Sequence, residues 1–211
     1  MPISRLTLPG TLLLALASSA AAQSSSAAVV STARVPPQVA QPVAQQIVAA
    51  VLALPEEFRA GAAVLGYGAD GKLTEIRSGN GPFICLASDP AGKAFHVACY
   101  HRSLEPFMAR GRALRISGLK GNQVDSARFA EIKTGRLAMP SQPAALYQLS
   151  GPAGSFDAAS GTVKGGSAFY VVYIPNATPA STGLPEHPEK GVPWIMEAGT
   201  PKAHIMFVPT M

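Results

Sequence analysis

Four residues near the end of the chain have the types and the spacing to bind a soft metal ion. Trp194 and Met196 precede a Gly-Thr-Pro turn, and His204 and Met206 follow it. In a hairpin that turns at Thr200, Met196 faces His204 and Trp194 faces Met206, so all four side chains project from one side of a two-stranded ribbon. Thioether and imidazole groups together select Cu(I), and an indole can stack on a cation. The pattern predicts either a Cu(I) site or strand residues that pack in the core.

The only two cysteines, Cys85 and Cys99, have a spacing that predicts a disulfide. If residues 83–101 form a hairpin centred on Gly92, the two cysteines lie directly opposite each other on adjacent strands, close enough to form a bond. Zinc is an alternative, because His96 and His101 complete a permitted set of two thiolates and two imidazoles. In the hairpin, however, His96 points to the opposite face from Cys99. The disulfide is therefore the favoured interpretation, with free buried thiols as a further alternative.

A basic stretch follows the second cysteine and could bind an anionic ligand such as a phosphate. Its first two members, His101 and Arg102, are the candidate ligand-binding residues, together with Trp194, whose ring could stack on a ligand. The other basic residues of the stretch are Arg110, Arg112, Arg115 and Lys120. The alternative is a solvated helix face whose aliphatic stems cover apolar neighbours.

No motif of a nucleophilic hydrolase occurs in the chain. The contexts of Ser155 and Ser167 lack the second glycine of a G-x-S-x-G turn. An extracytoplasmic hydrolase that uses His101 or His204 is nevertheless the alternative to a binding protein. That hypothesis requires the two histidines and an acid such as Glu105 to converge in one cleft.

The remaining chain must supply the elements that hold these residues. Alternating apolar residues between glycine-rich turns predict strands near 62–66, 72–77, 83–87, 94–100, 144–149 and 168–174, and a hairpin of 192–197 with 203–208. Helices are predicted at 43–54, at 55–57, and from Ser103 and Asp125 onward. With 14% charged residues, 20 Gly and 19 Pro, strands and turns are favoured over a helical bundle. We expect a single α+β domain, with a mostly antiparallel sheet and two or three helices packed on one face.

The N-terminus has the pattern of a secretory signal peptide. Arg5 is followed by an apolar run from Leu6 to Ala17, and then by Ala20 and Ala22 in the A-x-A spacing that signal peptidase accepts. The run is too short to span a bilayer, and no cysteine near the cleavage point could carry a lipid. We expect a signal peptide at 1–22, a flexible Ala/Ser/Pro-rich spacer with a short helix at 23–54, and the α+β domain at 55–211. The protein is then periplasmic or secreted.

Charge and hydropathy limit the partners. The net charge of +5 is too small to indicate a nucleic-acid partner. After signal cleavage, no segment is long and apolar enough to be an integral membrane span. We expect a monomeric, non-enzymatic protein that is structural or binds a small ligand or a cell-envelope component. Cu(I) is the one cofactor that the residues suggest, and otherwise we expect none.

Several segments in a fixed order resemble a family of uncharacterised exported bacterial proteins. They are AVLGY at 63–67, RSGNG at 77–81, the pairs Cys85-Leu86 and Cys99-Tyr100, PWIM at 193–196, GTP at 199–201 and HIM at 204–206. The resemblance runs over most of 61–208. It implies bacterial origin and export, and it attaches no reaction, ligand or catalytic residue.

Overall fold

The computed structural model describes residues 40–209, so the predicted signal peptide and the spacer up to residue 39 lie outside the described residues. The helices of this part are α1 (Val43–Val51), α2 (Glu56–Arg59), α3 (Glu105–Ile116), α4 (Asn122–Lys133) and α5 (Pro179–Thr182). The strands are β1 (Ala63–Tyr67), β2 (Leu73–Arg77), β3 (Phe83–Leu86), β4 (Phe95–His101), β5 (Ala144–Gly151), β6 (Phe156–Asp157), β7 (Thr162–Val163), β8 (Ser167–Tyr173), β9 (Trp194–Met196) and β10 (His204–Phe207).

Eight of these strands form one mixed sheet in the order β2-β1-β3-β4-β5-β8-β10-β9. Neighbouring strands are antiparallel, except for β1 and β3, which are parallel. Strands β6 and β7 form a separate two-stranded ribbon. The α+β class and the mostly antiparallel sheet, both predicted from the turn-rich composition, are confirmed.

The central hairpin of β3 and β4 has the predicted register. Cys85 pairs with Cys99, and Ile84 pairs with Tyr100 one residue along. A disulfide joins the two cysteines, both of which are fully buried. The bond forms because directly opposed residues on antiparallel strands bring their Cβ atoms within about 5 Å. The prediction of a disulfide is confirmed, and the zinc and free-thiol alternatives are wrong.

The sheet has two faces, which we name after central residues. The disulfide face carries Cys85 and Cys99. They pack in one cluster with Ala50 of α1 and with Leu54, which follows that helix. The Tyr100 face carries a second cluster, in which Tyr100 packs with Leu104 just before α3 and, less buried, with Met108 within it. The helices therefore lie on both faces, whereas the sequence predicted them on one. The short helix at 43–51, assigned to the spacer, belongs to the folded domain, because its residues Ala49 and Ala50 are buried in the core.

The link between β2 and β3 crosses the start of β1 at very short range. The N–H of Gly81 donates to the carbonyl oxygen of Gly61 at 2.7 Å, and a Cβ atom added to Gly81 would lie only 2.7 Å from that oxygen. Two arginines hold the crossing. Arg77 donates to the carbonyl of Ala62, and Arg102 donates to the carbonyl of Gly81 at 2.6 Å. This crossing places β3 beside β1 in the parallel direction.

Within residues 40–209, no helix has both the length and the apolar character that a bilayer crossing requires.

Candidate functional site

The terminal hairpin has the register predicted for it. His204 on β10 pairs with Met196 on β9, and Met206 pairs with Trp194. Residues two apart on a strand share a face, so these four side chains lie on one side of the ribbon, the side of the Tyr100 face. They differ in burial, because Trp194 and His204 are buried whereas Met196 is 41% exposed. Met206 is partly buried against the Tyr100-face cluster.

His204 is held in a defined orientation. Its Nδ1 lies 2.8 Å from the carbonyl oxygen of Lys202, and its ring stacks on Tyr173 with the centroids 5.1 Å apart. A carbonyl oxygen can only accept, so Nδ1 carries the hydrogen and Nε2 of the neutral ring has a free lone pair. Burial lowers the pKa of His204, which favours this neutral form.

A charged cluster lies beside His204, linking α4 to the end of the sheet. Lys202 forms ion pairs with Asp125 at 2.9 Å and with Glu197 at 3.4 Å. Asp125 also pairs with Arg128, whose guanidinium lies 3.6 Å above the ring of Phe107. Asp125, predicted to cap α4, instead lies within its first turn. The cluster ties the helix to the hairpin and neutralises the charge of Lys202.

The candidate anion-binding residues are engaged within the protein. Nδ1 of His101 lies 2.8 Å from Oγ of Ser103, and Arg102 is bound to the glycine carbonyls of the crossing. Farther along the basic stretch, Arg110 pairs with Glu131 at 2.6 Å and Arg112 pairs with Glu105 at 2.7 Å. Carboxylates and carbonyls thus occupy much of the donor capacity that a phosphate would need.

The three residues of the hydrolase hypothesis do not converge. His101 lies on β4 and His204 on β10, with two strands of the sheet between them. They also project from opposite faces, because His101 packs against Phe83 on the disulfide face. Glu105 accepts hydrogen bonds from Tyr100 and Arg112. This arrangement gives no support to a catalytic group made from these residues.

A further site lies on the disulfide face, where the sheet extends beyond its helical cover. The row that begins with Cys85 and Cys99 continues across the sheet through Tyr147, Tyr170 and Phe207, residues that oppose one another in register. Helix α1 packs chiefly against β4 and β1, and less against β2 and β3. Tyr170 and Phe207 are therefore 38% and 37% exposed, although both lie inside strands.

This open half of the disulfide face forms a cavity of about 450 Å³ that is shallow and widely open to solvent. The residues that line it are uncharged, namely Ala145, Tyr147, Tyr170, Val171, Val172, Gly191, Phe207, Val208 and Pro209. A second cavity, beside Asp89 and Phe95, measures only about 220 Å³. The larger cavity is the better candidate for a ligand site.

The two tyrosines give the open half its hydrogen-bonding capacity. Their ring centroids lie 5.4 Å apart in an edge-to-face arrangement, and neither hydroxyl is hydrogen-bonded to another residue among 40–209. Burial raises the pKa of Tyr147, and the nearby charge of Glu57 raises it further, so this phenol stays a neutral donor. The apolar residues at 144–149 and 168–174 predicted the strands, but they did not show which face lacks a cover.

Comparison of the chain with protein-family models, with curated proteins and with solved structures finds no match, and the functional proposals therefore rest on the residues of this chain.

Proposed function

We propose that this is an exported, non-enzymatic binding protein, and that its ligand binds on the open half of the disulfide face. The observation that carries the proposal is an aromatic row, formed by the half-buried Tyr147 and the exposed Tyr170 and Phe207, in a solvent-open depression of about 450 Å³. Monomeric proteins rarely expose contiguous apolar surface without a binding role.

The chemistry of the lining selects the class of ligand. Because no residue that lines the depression carries a charge, its lining offers no ion pair to a charged ligand. The flat rings of Tyr170 and Phe207 favour a flat apolar surface, and the two phenol hydroxyls offer hydrogen bonds. The ligand is therefore a small uncharged molecule with a flat ring system and one or two polar groups.

The binding test uses Nile red, a neutral, flat dye with a carbonyl acceptor, titrated into the purified protein. We expect saturable binding with a blue-shifted emission, and at least a tenfold rise in Kd for Tyr170→Ser and for Phe207→Ser. The magnitude follows because truncating an aromatic hot spot costs about 2 kcal/mol or more, and about 1.4 kcal/mol is tenfold in Kd. Ile116→Ser is the matched control, because Ile116 is 88% exposed on α3, away from this face.

Two results would overturn the proposal. One is an unchanged Kd in both aromatic variants, which would place the dye elsewhere. The other is a wild-type dimer in sedimentation experiments that Tyr170→Ser converts to monomer, because a second copy would then be the occupant of this face. Tyr147→Phe tests the hydroxyl by itself and should weaken binding several-fold, in keeping with about 1 kcal/mol for one hydrogen bond.

Export is a separate part of the proposal. It is supported by the signal-peptide pattern of residues 1–22 and by the disulfide, since such bonds persist mainly in oxidising compartments. The resemblance to exported bacterial proteins agrees with it. Expression of the full chain in a Gram-negative host, followed by N-terminal sequencing of the periplasmic fraction, should give a mature protein that begins at Gln23. A cytoplasmic product that retains Arg5 would contradict export and leave the binding test unaffected.

A further inference from the structure

The imidazole of His204 has the features of a metal ligand. Its Nδ1–H is committed to the carbonyl oxygen of Lys202 at 2.8 Å, so its Nε2 presents a lone pair. Metal-binding histidines almost always donate their other ring N–H to a carbonyl or carboxylate, which fixes the tautomer and the ring orientation. The stacked ring of Tyr173 restricts the imidazole further. The ring is thus oriented before any ion binds.

Two thioethers flank this imidazole on the same side of the ribbon. Met196 lies directly opposite His204 on β9, where Cβ atoms are about 5 Å apart. Met206 lies two residues along β10, a rise of about 7 Å. A methionine side chain has three rotatable bonds and adapts to its surroundings, so both sulfurs can approach the ion that Nε2 holds. Because β9 is the edge strand and Met196 is 41% exposed, the ion can enter from solvent.

The local charge does not oppose a monovalent cation. Lys202 is paired with both Asp125 and Glu197, and Arg128 is paired with Asp125, so these four groups together carry no net charge. The ring of Trp194, which opposes Met206 in register, adds an aromatic surface to which a cation is attracted. Among residues 40–209, no group of three or more His, Cys, Asp or Glu side chains is placed to hold a metal ion. A harder ion such as Zn²⁺ therefore has no competing site of its usual ligands there.

We propose that Nε2 of His204 and the thioether sulfurs of Met196 and Met206 form a binding site for Cu(I). Thioether and imidazole ligands select this soft ion over the oxygen-preferring divalent metals. The site lies on the Tyr100 face, opposite the open half of the disulfide face. The Cu(I) proposal therefore does not depend on the ligand proposed for that other face.

The test is an anaerobic titration of the mature protein with Cu(I) in competition with a chromophoric chelator, with Trp194 fluorescence as a second signal. We expect one equivalent of Cu(I) bound with a Kd below 1 micromolar, with quenching of the indole. Met196→Leu should weaken binding at least tenfold, and its exposed position makes the substitution compatible with folding. Met108→Leu is the matched control, since Met108 lies on the same face of the sheet but outside the hairpin, and its Kd should equal that of the wild type.

X-ray absorption of the loaded protein supplies an independent readout, which should show sulfur together with one nitrogen ligand. His204→Gln should remove the nitrogen signal and the tight binding. The proposal is overturned if the wild type binds no equivalent of Cu(I) below 1 micromolar. It is overturned equally if Met196→Leu and Met108→Leu give the same Kd.

Discussion

Loss of the disulfide is the perturbation whose effect can be worked out most directly from the structure. The bond closes a loop of about 15 residues, since the two cysteines are 14 apart in sequence. Closing a loop of this length removes enough entropy from the unfolded chain to stabilise the fold by about 3 kcal/mol. Reduction of the wild type should therefore lower the free energy of unfolding by about 3 kcal/mol, because the side chains are otherwise retained.

The double variant Cys85→Ala/Cys99→Ala should lose more than the reduced wild type. Both sulfurs are fully buried, and removing a buried group of that size costs about 1 kcal/mol each. The expected total is about 5 kcal/mol, a large part of the roughly 5–15 kcal/mol that stabilises a typical domain.

Urea unfolding followed by the fluorescence of Trp194, the only tryptophan, measures both losses. The oxidised protein is the reference, and free thiols are counted in each sample to establish its redox state. A loss below 1 kcal/mol on reduction would refute the reasoning, because the unfolded chain would then already be constrained without the bond. Equal losses for the reduced protein and the double variant would show that the buried sulfurs contribute nothing.

Three further predictions concern backbone packing and pH. Gly81→Ala should lower the free energy of unfolding by about 1–3 kcal/mol, as overpacking does, because the added Cβ would lie 2.7 Å from the carbonyl oxygen of Gly61. The midpoint of urea unfolding measures this loss, and an unchanged midpoint would contradict the prediction. Burial alone would raise the pKa of Asp125, but hydrogen bonds from Lys202 and Arg128 lower it. The stability that the ionised Asp125 contributes is therefore present above about pH 4 and is lost as the pH falls further. In acid titrations followed by circular dichroism, Asp125→Asn should lose less stability in this range than the wild type. Tyr100→Phe removes the hydrogen bond to Glu105 and should cost about 1–3 kcal/mol. Burial is the chief cause that raises the pKa of Tyr100 in the folded protein, so the wild type should lose stability above about pH 10, where the phenol of the unfolded chain ionises. If Tyr100→Phe shows the same alkaline loss, this phenol is not the cause.

The parts of the fold that the sequence predicted are those governed by local spacing. The pairing of Cys85 with Cys99 and of Met196 with His204 follows from the position of the intervening turn, because a turn fixes the register of its hairpin. The fold class follows in the same way from many short strands between glycine-rich turns. Each of these predictions uses residues that are close together in the chain.

The parts that the sequence missed depend on contacts between distant segments. The apolar side of α1 indicates that the helix is buried, but not on which face of the sheet it lies. The large apolar residues of α4 are Phe129 and Ile132, yet Val124 and Arg128 are the buried ones. Arg128 is tolerated inside because it pairs with Asp125 and stacks on Phe107, and neither contact can be read from local hydropathy.

The open half of the disulfide face escaped prediction for a related reason. The apolar residues of β5 and β8 would be the same whether or not a helix covers these strands, so Tyr147 and Tyr170 look like ordinary core residues in the sequence. The position of α1 over β1 and β4, with Tyr147 half-buried against the core and Tyr170 exposed, shows that the cover ends between these two tyrosines. The candidate ligand site thus arises from an incomplete layer and has no motif of its own.

The link between β2 and β3, which crosses the start of β1, affects whether two molecules of this protein can exchange segments. Everything from α1 to β2 is joined to the rest of the domain by the short link at residues 78–82, and such a link is where two molecules could exchange equivalent segments. Here the link is bound to the chain it crosses, through Gly81 on Gly61 and through the guanidinium of Arg102. An exchanged dimer would have to break these contacts in both molecules to open the hinge. The glycine crossing therefore opposes domain swapping and favours the closed single-chain fold.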